Sequence, residues 1–411
     1  MFYFSFFYVT KLISSLVLIM STNNVNINGP INIVRLENKK MGKVVYLLFD
    51  YHNPLLQQLK CDDFTALSVS QLLERFFMKT NDYKTNKWDF LLEIRPEEFS
   101  NINVGDRVHQ SIYIIEAVDL FKKYFRFKMG EKKPYVHSSQ EYPNIRFHYL
   151  DLRLHYVNGL NSWDLEREMY EINNNRKYKW NEQLNSMLSK YMTIPQTWIK
   201  LVNFKTLNIE NMDMYGKMFF KLRNTYSDKN NKMIINKILD SQVITNYNNT
   251  IKSVDKLKKE IDKEYEKETN KFFSNDRVYL KRTEKCGFGI TTENIISIRN
   301  KIDKVTVDDI LYGISCPLMD LYTVRRIVDK EYIKNAIVYT GSYHSCEIIY
   351  YLVKYFDFEV TNCFYSEMKM DELNKHIKGL KEFDWCKDFY VIEPEYLTQC
   401  SNMKGFPDLF I

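Results

Sequence analysis

The stretch from Asn335 to Val360 constrains the fold more than any other part of the chain. It opens with a short apolar run, Ala336 to Tyr339, closed by Thr340-Gly341. A run of that kind bounded by a turn signal predicts a buried parallel strand. Ile348, Ile349, Leu352, Val353 and Phe356 follow at helical spacing, so the strand leads through a loop into an amphipathic helix. Gly341 is read as the turn residue that tolerates unusual dihedrals, and Ser345 as a candidate helix cap. His344 falls in the loop, at the carboxyl end of the strand, and in open α/β sheets ligands bind at that edge. A histidine there equally serves as a polar turn residue that bonds a carbonyl.

Similar units recur towards the amino terminus. Asn28 to Leu36 and Lys43 to Phe49 read as a hairpin, with a turn at Asn38 to Gly42. Asp50 and His52 lie just past the second of these strands. A helix is expected over 63–79. Lys87 to Pro96 gives a further strand, apolar until Glu93, and a carboxylate there is costly unless it is paired. Arg95 or a lysine is the ordinary partner for it. Another helix is expected over 106–127. Ile145 to Arg153 reads as a strand that ends in Asp151 and Arg153; His148 alternates with apolar neighbours and is read as structural.

From about 160 to 314 the chain turns Lys-, Asn- and Glu-rich. Ile251, Val254, Leu257, Ile261 and Tyr265 form a narrow stripe on a charged helix, Ser253 to Phe272. It fits a helical hairpin, an arm that binds a protein partner, or an ordinary solvated helix. Cys316 to Asp329 then predicts a helix carrying Arg325 and Arg326, and Phe389 to Ile392 a last strand.

These elements predict an α/β fold with a mainly parallel central sheet flanked by helices and a large helical insertion. The expected parts are an apolar leader and polar tail over 1–27, the α/β core over 28–160 and 315–411, and the insertion over 161–314. Residues 1–20 are apolar apart from Lys11 and a few hydroxyls. Three readings stay open for them: an upstream extension or disordered tail, a membrane anchor, or a signal peptide.

The 411-residue chain has a net charge of +6 from 58 basic and 52 acidic side chains. That is a mild excess with no concentrated basic face, so no nucleic-acid partner is expected. The seven cysteines are scattered and form no CxxC pair. This argues against a disulfide framework or structural zinc and suits a reducing compartment.

In a parallel sheet the strand ends share one edge, which would gather Asp50, His52, Glu93, Asp151, Arg153 and His344. Two imidazoles with carboxylates suit a divalent metal, with His52, Glu93 and His344 as its ligands. They equally suit acid and base work on an ester or amide, with Asp50 or Asp151 orienting an imidazole. Arg325 or Arg326 could hold a carboxylate, a phosphate or a developing oxyanion.

At these residues the chain resembles a superfamily that groups TIKI proteases, TraB and GumN proteins, ChaN-like haem-binding proteins and erythromycin esterases. Gly341-Ser-Tyr-His344 is similar to its late G-x-x-H motif. Phe49-Asp-Tyr-His52 sits where the first such motif belongs, with Phe49 in place of the glycine. Leu91-Leu-Glu93 matches the glutamate strand, and Asp320 to Arg326 the arginine helix. Asp50 stands where a second glutamate is usual. The resemblance covers about 200 residues, roughly 30–160 and 315–362. It implies a hydrolase of ester or peptide bonds acting on a small-molecule or peptide substrate, and it makes a divalent metal an expected cofactor.

The whole chain also resembles uncharacterised proteins of giant DNA viruses of amoebae (Mimivirus-like), in runs such as GPINIVRLEN and KVVYLLFDYH. That resemblance implies a place in the host cytoplasm or the virion. It leaves a second reading open, a catalytically inactive structural or host-interaction protein on the same scaffold.

Overall fold

The structure is a computed structural model. It describes residues 25–51, 60–82, 87–94, 112–125, 127–129, 134–136, 139–151, 180–203, 214–274, 297–298, 300–302, 304–381, 391–394 and 398–407. The chain divides into two compact units, one of residues 1–151 and 326–411 and one of residues 152–325.

The first unit is built on a six-stranded sheet. Its strands are β2 (Asn32–Asn38), β3 (Lys43–Asp50), β5 (Trp88–Leu92), β8 (Ile145–Tyr149), β9 (Asn335–Gly341) and β10 (Glu359–Cys363), in the order β10-β2-β3-β9-β5-β8. β3, β9, β5 and β8 are mutually parallel. The β2–β3 hairpin is antiparallel from Asn32↔Phe49 to Asn38↔Lys43, and β10 adds to β2 antiparallel. The parallel character therefore belongs to four neighbouring strands and ends at the hairpin. β10 follows β9 in the chain yet joins the far side of β2.

The expected strand from Asn28 to Leu36 is two strands. β1 (Asn26–Asn28) joins a separate three-stranded sheet with β4 (Leu67–Ser68) and β11 (Cys400–Asn402). The break is at Gly29, whose φ is +131°. A Cβ there would lie 2.6 Å from Val69 Cγ2 and 3.2 Å from Tyr113 Cγ, so both the backbone and the packing demand glycine.

Helices α1 (Val69–Asp82) and α2 (Ile112–Tyr124) cover one face of the large sheet. Residues two apart on each strand point the same way. Tyr46 and Leu48, Phe90 and Leu92, Ile337 and Tyr339 thus share a core with Val69, Leu73 and Phe77 of α1 and Phe121 of α2. Aromatic contacts lock this layer: Phe76 meets Trp88 edge-on at 4.8 Å, and Phe121 meets Phe147 at 4.4 Å. Each fully buried ring contributes about 1.5–3 kcal/mol.

The alternate residues Val45, Leu47, Phe49, Ala336 and Val338 are buried on the other face. Beyond the helices of the second unit, α7 (Cys316–Asp329) matches the sequence expectation at both ends. It is followed by β9 and then α8 (Ser342–Phe356), which packs on β9 and β3. α9 (Met370–Gly379) packs on α8 and β10. A two-stranded hairpin, β6 (Phe127–Met129) with β7 (Pro134–Val136), completes the strands among the described residues.

Two expectations need correction here. Val391 and Ile392 are buried in a turn rather than a strand, and 382–390 lie outside the described residues. Cys61 and Cys400 form a disulfide across 339 residues of sequence. Spacing alone could not reveal it, because the small sheet brings the two thiols together.

The second unit is helical. It comprises α3 (Trp180–Asn203), α4 (Met214–Asn224), α5 (Lys229–Ile238), a π-helical turn Leu239–Ile244, α6 (Thr245–Ser274), and a π-helical run Lys304–Ser315 that passes into α7. The stripe on α6 is covered. Val254, Leu257 and Ile261 pack with Leu184 and Leu188 of α3 and with Ile302 and Ile310, while Ile251 and Tyr265 lie at the margin. It forms this unit's own core rather than a solvated face. No helix among the described residues is long and apolar enough to cross a membrane, and the leader 1–20 lies outside them.

Candidate functional site

The strand ends share one edge, as a parallel sheet requires. Asp50 is the last residue of β3 and lies in register with Gly341, the last of β9. Glu93 follows β5, and its amide donates to the Tyr339 carbonyl at 3.0 Å. Asp151 follows β8, and its amide donates to the Ile94 carbonyl at 3.3 Å. His344 is in the first turn of α8 rather than in a loop.

Glu93 and His344 meet directly. The imidazole Nε2 lies 3.3 Å from Glu93 Oε1, with side-chain exposures of 5% and 3%. Glu93 Oε2 accepts the Gly341 N–H at 2.6 Å. Glu93 thus faces an imidazole through one oxygen and a backbone amide through the other. The amino end of α8 also directs positive partial charge towards this carboxylate.

Gly341 has φ −52° and ψ 149°, an ordinary extended conformation. Its contribution is the amide it donates, not an unusual dihedral. Ser345 makes no cap; its hydroxyl pairs with Thr340 Oγ1 at 2.8 Å, and α8 begins without a side-chain cap.

Asp50 takes a different partner. Tyr339 Oη donates to its Oδ1 at 2.8 Å. Asp50 follows the alternation of Tyr46 and Leu48, so it belongs to the α1/α2 face. Burial and the Asp50 charge push the Tyr339 phenol well above its ordinary value, so it stays a donor. Tyr113 is pushed up to about 12 by burial, with Glu116 and Asp50 adding to the effect. Its buried hydroxyl has no hydrogen-bond partner among the described residues.

One further carboxyl reaches the edge. The buried Asn32 amide donates to the carbonyls of Ile392 at 2.6 Å and Tyr365 at 3.0 Å. This clamp delivers Glu393 to the Ser342 side chain at the start of α8. Burial pushes the Glu393 carboxyl up to about 7, against the hydrogen bond from Ser342. Nothing periodic marks Glu393, Tyr113 or Glu116 in the sequence; a Glu-Pro pair in a polar tail gives no signal.

The two arginines have partners that the helical pattern did not announce. Arg325 Nε donates to the Thr225 carbonyl at 3.1 Å, Nη2 bonds the same oxygen, and the guanidinium lies over the Tyr226 ring. Arg326 Nη2 lies 3.0 Å from His148 Nδ1. A helical pattern reveals which face a residue occupies but not its partner. His148 Nε2 lies 2.7 Å from Asp89 Oδ1, and Arg146 grips the same carboxylate with two bonds. Burial holds the His148 pKa down to about 4. The ring is then neutral, with Nε2–H donating to Asp89 and Nδ1 accepting from Arg326. The structural reading of His148 agrees with this geometry.

His52 and Arg153 lie outside the described residues. Among the described residues no three His, Cys, Asp or Glu side chains group as metal ligands. Of the expected metal set, they supply Glu93 and His344 alone, and Glu93 is already engaged through both oxygens.

The chain matches the profile of a family of unknown function, DUF5847, over residues 25–204 and 160–411. It belongs to that family. Uncharacterized protein R706 of Acanthamoeba polyphaga mimivirus is 32% identical to this DUF5847 chain, over 95% of the chain and 98% of the relative. Uncharacterized protein R161 of the same virus is 33% identical, over 95% and 99%. Uncharacterized protein R160 is 29% identical, over 95% and 99%. No solved structure matches. The DUF5847 chain thus has full-length relatives in a giant virus, and their names state no activity.

Proposed function

We propose that the carboxyl edge is the acid–base site of a hydrolase of ester or peptide bonds, of the TIKI/TraB/esterase type. The observation that carries this reading is the Glu93–His344 pair, fixed by the Gly341 amide. The His344 imidazole, held beside the Glu93 carboxylate, is the base that takes a proton from water. Glu393, whose pKa is pushed up to about 7, holds a proton for the leaving group. Should elemental analysis of the purified protein find a divalent ion, His52, Glu93 and His344 would hold it, and the ion would activate the water in place of the free imidazole.

The experiment is turnover of p-nitrophenyl acetate and of a fluorogenic peptide by the wild type and by His344→Gln. Loss of a general base lowers turnover by about 100-fold or more. Equal turnover in the variant removes the catalytic role. The exposures of 5% and 3% favour a second reading, a catalytically silent scaffold with a structural or host-interaction role. A wild type that hydrolyses neither probe, together with abundance in purified virus particles, supports that one.

A further inference from the structure

The small sheet carries a covalent tie whose position matters. β11 is three residues long and pairs with β1 through Asn26↔Asn402, Ile27↔Ser401 and Asn28↔Cys400. Pairing of this length is marginal by itself. β11 is also docked against a polar cost. Gln399 and Ser401 are fully buried, yet Gln399 Oε1 and Ser401 Oγ have no hydrogen-bond partner among the described residues. Each orphaned polar atom works against burial. The Cys61–Cys400 disulfide opposes this cost, together with the Asn402–Asn26 side-chain bond at 2.6 Å and the burial of Met403.

The same segment reaches the edge that carries Asp50. Gln399 Nε2 donates to the Tyr51 carbonyl at 3.2 Å, and the Gln399 carbonyl accepts the Gly29 N–H at 3.0 Å. Cys61 is anchored on its own side by its amide, which donates to Asn28 Oδ1 at 2.8 Å.

Both cysteines of the bond are half-buried rather than sealed in the core. The other described thiols are poor competitors in exchange, which proceeds through thiolates. Burial pushes Cys363 up to about 12 and Cys346 well above its usual range, and Cys316 is buried.

From these relationships we infer that Cys61–Cys400 is a redox-operated latch, whose reduction by a small thiol of the glutathione class releases β11 from β1 and frees the Tyr51 carbonyl beside Asp50. The step balances. Two thiols reduce one disulfide through a mixed-disulfide intermediate, leaving two cysteine thiols and one oxidised thiol dimer. Reoxidation by the dimer restores the latch. The inference stands apart from the hydrolase reading.

The test uses the full chain. Protein purified in air is alkylated and mapped by mass spectrometry without reductant; a linked Cys61–Cys400 peptide is expected. Reduced glutathione should convert both to alkylatable thiols. Amide hydrogen exchange at 26–29 and 399–403 should then rise by at least about tenfold, while α8 and β9 stay protected. The C61S/C400S variant should show the fast exchange without thiol and no response to it. Should that variant fail to fold, reduced wild type whose circular dichroism is unchanged supplies the same measurement. A peptide that stays unlinked even in oxidised glutathione overturns the latch, as does equal exchange in the two redox states.

Discussion

Glu93 joins β5 to the start of α8 through two separate bonds, one to the His344 imidazole at 3.3 Å and one from the Gly341 amide at 2.6 Å. Glu93→Ala strips both partners of a buried carboxylate. Unpaired buried groups cost about 1–3 kcal/mol each, so a loss of roughly 2–4 kcal/mol is expected in urea unfolding. Glu93→Gln keeps an acceptor for the Gly341 amide and should lose less. A variant as stable as wild type would mean that the two bonds contribute nothing net.

The network around His148 makes the protein sensitive to acid. His148 faces Asp89, Arg146 and Arg326, and burial lowers its pKa to about 4. Its partner Asp89 is also held below the usual carboxylate range; bonds from His148 and Arg146 outweigh its burial. The unfolded imidazole takes its proton near pH 6.5, before the folded one does. Stability from His148 is therefore present above about 6.5 and is lost as pH falls towards about 4, by up to about 3 kcal/mol. In His148→Gln the fall across that window should flatten, read as the urea midpoint against pH. An unchanged slope would place the acid sensitivity elsewhere.

Glu393 works in the opposite direction. Its folded pKa is raised to about 7, so the folded state keeps a proton that the unfolded carboxyl has given up. Its effect on stability turns unfavourable as pH rises from about 4.5 to about 7. Glu393→Gln should remove that penalty and stabilise the protein by about 2 kcal/mol at pH 8. The measurement is the difference in unfolding free energy between variant and wild type at pH 5 and pH 8. A difference that does not change with pH would contradict it.

What the sequence revealed follows from periodicity. The α7–β9–α8 run was legible because apolar residues at helical spacing flank a continuous apolar strand, and both ends of α7 agree with the structure. The placing of Asp50, Glu93 and Asp151 on one edge followed from parallel strands. Side-chain partners were not legible. Tyr339 looked like one more apolar strand residue, yet it donates to Asp50. The carbonyl that meets Arg325 and the imidazole that meets Arg326 could not be read from helical spacing. Cys61 and Cys400 meet only because β1 lies between β4 and β11. Contacts made across hundreds of residues leave no local trace.

Gly29 offers a test of how the two sheets are joined. It separates β1 of the small sheet from β2 of the large one, and its φ of +131° is one that side-chain-bearing residues rarely adopt. In Gly29→Ala the new methyl would sit 2.6 Å from Val69 Cγ2 and 3.2 Å from Tyr113 Cγ. Val69 begins α1 and is fully buried, so neither the backbone nor the helix can give way cheaply. Strain at such a dihedral costs about 1–3 kcal/mol before overpacking is added. The variant should lose roughly 2–4 kcal/mol in urea unfolding. It should also speed hydrogen exchange in β1 and at the start of α1 more than in β9. If Gly29→Ala folds with wild-type stability, the junction is looser than its geometry requires.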